Sequence, residues 1–183
     1  MTCIVGVIDQ DKGGVVMGGD SAGVGGWDLS MRKDPKVFIN GSCIMGFTSS
    51  FRMGQLLRYK LKVPERKPGQ ELFEWMVSDF VDAVRASLKD GGYAVKDKDQ
   101  ESGGTFLVGV AGHLFTVHAD YQVEEESANF AACGCGEQIA KGALHALGNA
   151  PTADTRVRVA LEAAERFSAG VRAPFTILRQ PLT

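Results

Sequence analysis

The sequence predicts an α+β fold, a four-layer αββα sandwich with two stacked antiparallel sheets between two helical layers. Three observations lead there. Short apolar, β-prone runs bounded by Gly, Asp or Asn open the chain. Pairs of helix-periodic segments then separate groups of strands, and the resulting order lacks the strand–helix alternation of a parallel sheet. At ~150 residues per domain, the 183 residues give a prior of one domain, taken as 1–183. A chain of this length can bury about two-thirds of its unfolded surface.

The first strands are expected at Cys3 to Ile8, Gly14 to Met17, Val37 to Asn40 and Cys43 to Phe47. Between them, Ser21 to Pro35 holds Gly23, Gly25, Gly26 and Asp28, too polar and Gly-rich for a core strand, and reads as a surface excursion. From Ser50 to about Leu61 the apolar positions Phe51, Met53, Leu56, Leu57 and Leu61 suit one face of a helix. Pro64 and Pro68 interrupt the chain. A second helix follows Pro68, its stripe of Leu72, Trp75, Met76, Phe80, Val84 and Leu88 ending at Gly91 and Gly92. Lys96 to Glu101 reads as a charged, solvated hairpin or loop. Further strands are expected at Thr105 to Val110, Leu114 to His118 and Asn129 to Ala132. Gly136 opens a helix to Leu147, Pro151 breaks it, Asp154 can cap another through Leu161 to Phe167, and Phe175 to Leu178 is the last strand.

Composition removes several function classes. Lys plus Arg is 20 against Asp plus Glu 22, a net charge of −2, without the basic excess that tracks phosphates, so nucleic acid is not an expected partner. No window approaches the ~20 consecutive apolar residues of a bilayer span, and MTCIVGVID lacks a basic flank; the expectation is an unexported, cytoplasmic protein without membrane contact. Cys3, Cys43, Cys133 and Cys135 form no disulfide framework and fit a reducing compartment. Cys133 and Cys135 have no second ligand pair at zinc spacing among His113, His118 and His145, so buried free thiols are preferred to a metal site. His113 and His118 straddle a strand with no obvious acidic partner and read as structural or exposed. Gly18 and Gly19 follow a strand, but neither a Walker lysine nor GxGxxG is there, and no cofactor is expected.

The chemistry-bearing candidate is Thr2. Its small side chain is of the type that permits removal of Met1 by methionine aminopeptidase, which would leave a hydroxyl nucleophile and an α-amine in one residue. Such an amine, with a reference pKa near ~7.7 to 8.0, serves as base at neutral pH. Threonine at position two is common in proteins of every function, so its company decides. Thr2-Cys3-Ile4-Val5-Gly6-Val7, Gly18-Gly19-Asp20-Ser21, Lys36-Val37-Phe38-Ile39 and Gly46-Phe47-Thr48-Ser49-Ser50 resemble, in order and spacing, the proteasome β-subunit family of N-terminal nucleophile (Ntn) hydrolases, particularly the HslV type. Gly134-Cys135-Gly136 resembles its Gly-Ser-Gly, and Glu165-Arg166-Phe167-Ser168-Ala169-Gly170 its Asp-x-x-Ser-Gly-Gly. The resemblance spans nearly the whole chain.

What the resemblance implies is an Ntn-type sandwich with Thr2 as nucleophile, Asp20 as the carboxylate after the second strand and Lys36 as the buried lysine beside the threonine. An ammonium near the hydroxyl favours the alkoxide, and Asp20 would supply the counter-charge the ammonium needs in a desolvated site. The turn after Phe47 should aim main-chain N–H groups at a developing oxyanion, with Ser49 where the family has glycine. Cys135 stands where many members have serine and offers only a weak S–H. Glu165 replaces aspartate with one more methylene, and Ser168 is retained. Ser21, Ala22 and Phe47 are candidate substrate-binding residues, Phe47 suggesting apolar side chains. The implied function is a threonine-type peptidase acting on protein or peptide, in homo-oligomeric rings, with a separate ATP-driven unfoldase as partner. Two alternatives stay open: a ring-forming scaffold of the same fold without activity, and an Ntn amidase acting on a small amide.

Overall fold

Short apolar runs and tight turns produce, among the described residues, nine principal strands that pair as two antiparallel sheets. The computed structural model describes residues 1–98, 100–149 and 151–181. β1 (Cys3–Ile8), β2 (Val15–Gly19), β12 (Phe130–Gly134) and β13 (Thr176–Arg179) form one sheet in the order β12-β1-β2-β13. The other contains β5 (Val37–Asn40), β6 (Cys43–Phe47), β9 (Phe106–Val110), β10 (His113–Val117) and β11 (Val123–Glu125), in the order β11-β10-β9-β6-β5. Every ladder in both sheets is antiparallel. Two short hairpins lie outside them: β3 (Ala22–Gly25) with β4 (Asp28–Met31), and β7 (Val95–Asp97) with β8 (Gln100–Ser102).

The helices cover one face of each sheet. α1 (Phe51–Tyr59), α2 (Leu72–Trp75) and α3 (Val81–Asp90) set Met53, Leu57, Trp75 and Val84 against Phe38, Met45, Phe106 and Phe115 of the five-stranded sheet. α4 (Glu137–Leu147) and α5 (Ala153–Phe167) set Ala140, Leu144, Val157 and Leu161 against Cys3, Val5 and Val16 of the other. A third cluster joins Ile4, Met17 and Ala131 of the four-stranded sheet to Val37, Ile44, Leu107 and Leu114 of the five-stranded one. The approach is close at Gly46, where a Cβ would lie 2.5 Å from Ile4 Cγ2. No helix among the described residues is long and apolar enough to cross a membrane.

Several expectations change in detail. β2 runs on through Gly18 and Gly19 rather than stopping at Met17; Gly18 admits α5, a Cβ there standing 2.5 Å from Val157 Cγ1, and Gly19 admits Ile4, whose Cδ1 would be 2.8 Å from its Cβ. The last strand is one residue later than expected, Thr176–Arg179. The Ser21 to Pro35 excursion is a hairpin whose tip carries a fully exposed Trp27. The single helix expected after Pro68 begins at Leu72, capped by Glu71, and is broken by a π-helical turn at Met76–Phe80, where Ser78 Oγ donates to Glu74 O. Thr152, not Asp154, caps α5: its hydroxyl accepts the Thr155 N–H, while Asp154 sits in the first turn and pairs with Arg179.

The charged run at Lys96 to Glu101 forms the β7–β8 hairpin, with Asp99 outside the described residues. β11 was not anticipated from its sequence Val-Glu-Glu. It supplies the acidic partners that His113 and His118 were expected to lack: Glu125 lies 2.6 Å from His113 and Glu124 3.0 Å from His118, both on the surface. Cys133 is buried, but Cys135 is exposed, so the reading of both as buried thiols holds only for the first.

Candidate active site

Pairing of β1 with β2 sets Ile4 opposite Gly19 and thereby brings the chain just before β1 alongside Asp20. Cys3 N–H donates to Asp20 Oδ1 at 2.9 Å and Asp20 N–H donates back to Cys3 O at 3.3 Å. Lys36, the residue before β5, sends its ammonium to the same Oδ1 at 2.8 Å. Both charges are almost fully enclosed, Asp20 at 2% and Lys36 at 1% exposure. A buried pair of this kind persists when remaining lone pairs are satisfied. Here Asp20 Oδ2 accepts from Ala22 N–H at 2.9 Å and from Arg172 N–H at 3.4 Å. Burial pushes the Lys36 pKa below its ordinary value, opposed by the charge and hydrogen bond of Asp20.

Thr2 completes the cluster. Its hydroxyl donates to the Met1 carbonyl at 2.6 Å, and Lys36 Nζ donates to that same oxygen at 3.4 Å. The Thr2 amide N–H donates to Cys135 Sγ at 3.3 Å, and Ser168 Oγ donates to that sulfur at 3.5 Å. Thr2, Asp20, Lys36, Cys135 and Ser168 therefore form one connected array. Burial raises the neighbouring Cys3 thiol to about 12, which keeps it neutral beside the charges.

The close approach of β12 to Thr2 requires glycine at 134, which has φ +98° and whose Cβ would strike the Thr2 carbonyl oxygen. Gly134→Ala is expected to cost about 2 kcal/mol or more, from backbone strain plus displacement of the β1 start. Chemical denaturation of native and variant chains checks it, and a change below about 0.5 kcal/mol would contradict the contact.

Other candidates are placed differently. Glu165 does not reach Thr2 or Cys135; its Oε1 accepts Ala173 N–H at 2.8 Å, tying α5 to the segment that delivers Arg172. Ser21 is buried, with its hydroxyl donating to Pro174 O and its N–H to Arg172 O. Ala22 is buried and its N–H is used by Asp20, so neither side chain presents itself to a ligand. Ser49 adopts φ +66°, a left-handed conformation that glycine adopts more easily, and its hydroxyl accepts Thr105 N–H at 3.1 Å. Phe47 is 5% exposed and forms part of the wall of a pocket of about 330 Å³.

Two residues not singled out from the sequence belong to this region. Phe51 meets Phe47 edge-on, with ring centroids 5.8 Å apart, and its centroid is 5.7 Å from Lys36 Nζ. Arg172, through its main chain, binds both Asp20 and Ser21. Phe51 could be read only as one apolar position in a helical stripe, and Arg172 gave no local signal.

No protein-family model matches the chain, and no curated protein matches it. Among solved structures, it has the fold of proteasome-like proteins. BPH from Thiobacillus denitrificans has a TM-score of 0.80 at 20% identity, over 98% of each chain, and is also known in complex with epoxomicin. HslV from Trypanosoma brucei gives 0.67 at 18% identity, over 97% of this chain and 98% of that one. Anbu, an ancestral β-subunit, from Yersinia bercovieri gives 0.67 at 14% identity, over 98% of this chain and 81% of that one. The resemblance read from the sequence thus meets a likeness of fold across nearly the whole chain.

Proposed function

We propose that the chain is a single-domain Ntn hydrolase of the proteasome β-subunit and HslV family, built as the αββα four-layer sandwich. It acts as a threonine-type peptidase once Met1 is removed. The observation that carries the reading is the array joining Thr2 to Lys36 and Asp20, a hydroxyl and an enclosed ammonium that meet on one oxygen, the Met1 carbonyl, with the ammonium's counter-charge fixed by main-chain donors. In the mature chain the Thr2 α-amine takes the place of the amide nitrogen now beside Cys135 Sγ, and Cys135 and Ser168 orient it. That amine takes the hydroxyl proton as Thr2 Oγ attacks a peptide carbonyl. Lys36 stabilises the negative charge developing on Oγ, and the main-chain N–H of Ser49 receives the oxyanion, since Thr48 and Ser50 N–H already donate to Thr105 O and Thr48 O. An ester forms, the peptide C–N bond breaks with the proton passing to the leaving amine, and water releases the acyl group.

The position of Met1 bears on the main alternative. With Met1 attached, the Thr2 nitrogen is an amide without basicity, and the Met1 carbonyl occupies the hydrogen bonds of both Thr2 Oγ and Lys36 Nζ. A chain that kept Met1 would be the scaffold, not the enzyme. Neighbouring subunits in a ring, a cytoplasmic setting and an ATP-driven unfoldase as partner complete the proposal, supported by the fold shared with HslV and BPH.

Intact mass and N-terminal sequencing of the purified native protein, followed by a fluorogenic peptide assay, test this reading. A chain beginning at Thr2 that cleaves peptide and reacts with epoxomicin is the expected result. A chain that retains Met1 throughout, or that begins at Thr2 and cleaves no peptide, overturns it.

A further inference from the structure

The pocket of about 330 Å³ next to the cluster has an apolar floor and a charged rim. Phe47 and Gly54 make the floor, where a side chain on Gly54 would collide with the Phe47 ring. The pocket begins one strand pairing from the reacting groups, since Phe47 N–H donates to Lys36 O at 3.1 Å. The Phe51 ring connects the two regions: Lys36 Nζ is 5.7 Å from its centroid and the Arg32 guanidinium 4.1 Å. Around the rim stand Arg32, Arg58 and Asp34, two guanidinium groups against one carboxylate. Asp34 takes Arg32 Nε at 2.8 Å and Nη2 at 2.7 Å. Arg58 makes no ion pair among the described residues and lies over Phe38 and Tyr59, with its guanidinium carbon 5.8 Å and 5.1 Å from their ring centroids.

We infer that this pocket selects peptides with glutamate on the residue whose carbonyl Thr2 attacks, through Arg58 and Arg32. The inference rests on the hydrolase reading above and names its substrate class. Glutamate fits both parts of the pocket: its methylene stem lies along the Phe47 floor and its carboxylate meets the guanidinium left unpaired. Charge-assisted, potentially bidentate bonds to arginine are among the stronger polar contacts. A leucine would bury against the floor but strand the Arg58 charge, and an arginine would add a third guanidinium. The apolar preference suggested by Phe47 alone is therefore replaced by an acidic one. Asp34 competes with the substrate for Arg32, which sets how far the preference goes.

The experiment compares kcat/KM for fluorogenic peptides that differ only in Glu, Leu or Arg at that residue, using the full chain beginning at Thr2. Glutamate is expected to exceed leucine by about tenfold and arginine by more. Arg58→Glu should reverse the Glu-to-Arg order, and Asp34→Asn should raise the preference for glutamate. Equal or faster cleavage after leucine or arginine, or an unchanged ratio in Arg58→Glu, overturns the inference. Peptide binding to the Thr2→Ala chain, measured by fluorescence anisotropy, separates this from a failure of the hydrolase reading. Tighter binding of the glutamate peptide supports the pocket assignment even if nothing is cleaved, and indifferent binding refutes it.

Discussion

Asp20→Ala is expected to destabilise the folded chain by about 3–5 kcal/mol, the range for removing one partner of a buried ion pair. The carboxylate holds Lys36 Nζ and Cys3 N–H on one oxygen and Ala22 and Arg172 N–H groups on the other, so its loss releases four donors in a region closed to water. Lys36→Met should cost less. It leaves the carboxylate with three main-chain donors, whereas alanine at 20 leaves an enclosed ammonium whose other hydrogen bond among the described residues is to Met1 O at 3.4 Å. Urea denaturation of the two variants measures the asymmetry, and a larger loss in Lys36→Met would overturn this account of the pair. The pH dependence has a definite sign. Burial lowers the Lys36 pKa and Asp20 holds it up, so removing Asp20 lowers it further. Between that lowered value and the ordinary lysine value the unfolded chain binds more protons than the folded one, and stability therefore rises with pH across the window. Below it, both states carry the ammonium and the penalty is constant.

The same pair shows what a sequence can and cannot disclose. β1, β5 and β6 have the bounds read from their apolar runs, because each run is terminated by polar or glycine residues, and β1 and β6 are buried along almost their whole length. β11 escaped because an edge strand of one valine and two glutamates has no apolar alternation; it forms by hydrogen bonding to β10. The π turn at Met76–Phe80 escaped because its apolar residues keep a spacing compatible with an ordinary helix. Thr2, Asp20 and Lys36 lie beside strand ends, so their meeting follows once the ladders are in register. The contributions of Phe51 and Arg172 depend on how a helix and the segment after α5 return to those ends, which local pattern does not encode. Glu165 illustrates the complementary case: its place in a motif pointed to the reacting centre, but its carboxylate is engaged by Ala173 N–H.

Thr2→Ala is expected to lower kcat/KM for peptide cleavage by about 10⁴ or more, the scale seen when a covalent nucleophile is removed. Alanine is small enough to permit loss of Met1, so the variant keeps the α-amine and the Asp20–Lys36 pair and lacks the reacting hydroxyl. The threonine methyl is the other group lost, a change small enough to leave the denaturation midpoint within a narrow margin of the native chain. Near-complete loss of activity at unchanged stability therefore isolates the nucleophile from the fold. Thr2→Ser completes the comparison: it restores the hydroxyl without the methyl that fixes its rotamer, and should recover most of the lost rate. Cleavage by Thr2→Ala at the native rate would move the activity to another group or to a contaminant. If neither the native chain nor Thr2→Ser cleaves peptide when each begins at residue 2, the enclosed ammonium and carboxylate are holding the β1 terminus in place. The scaffold reading then accounts for the same geometry.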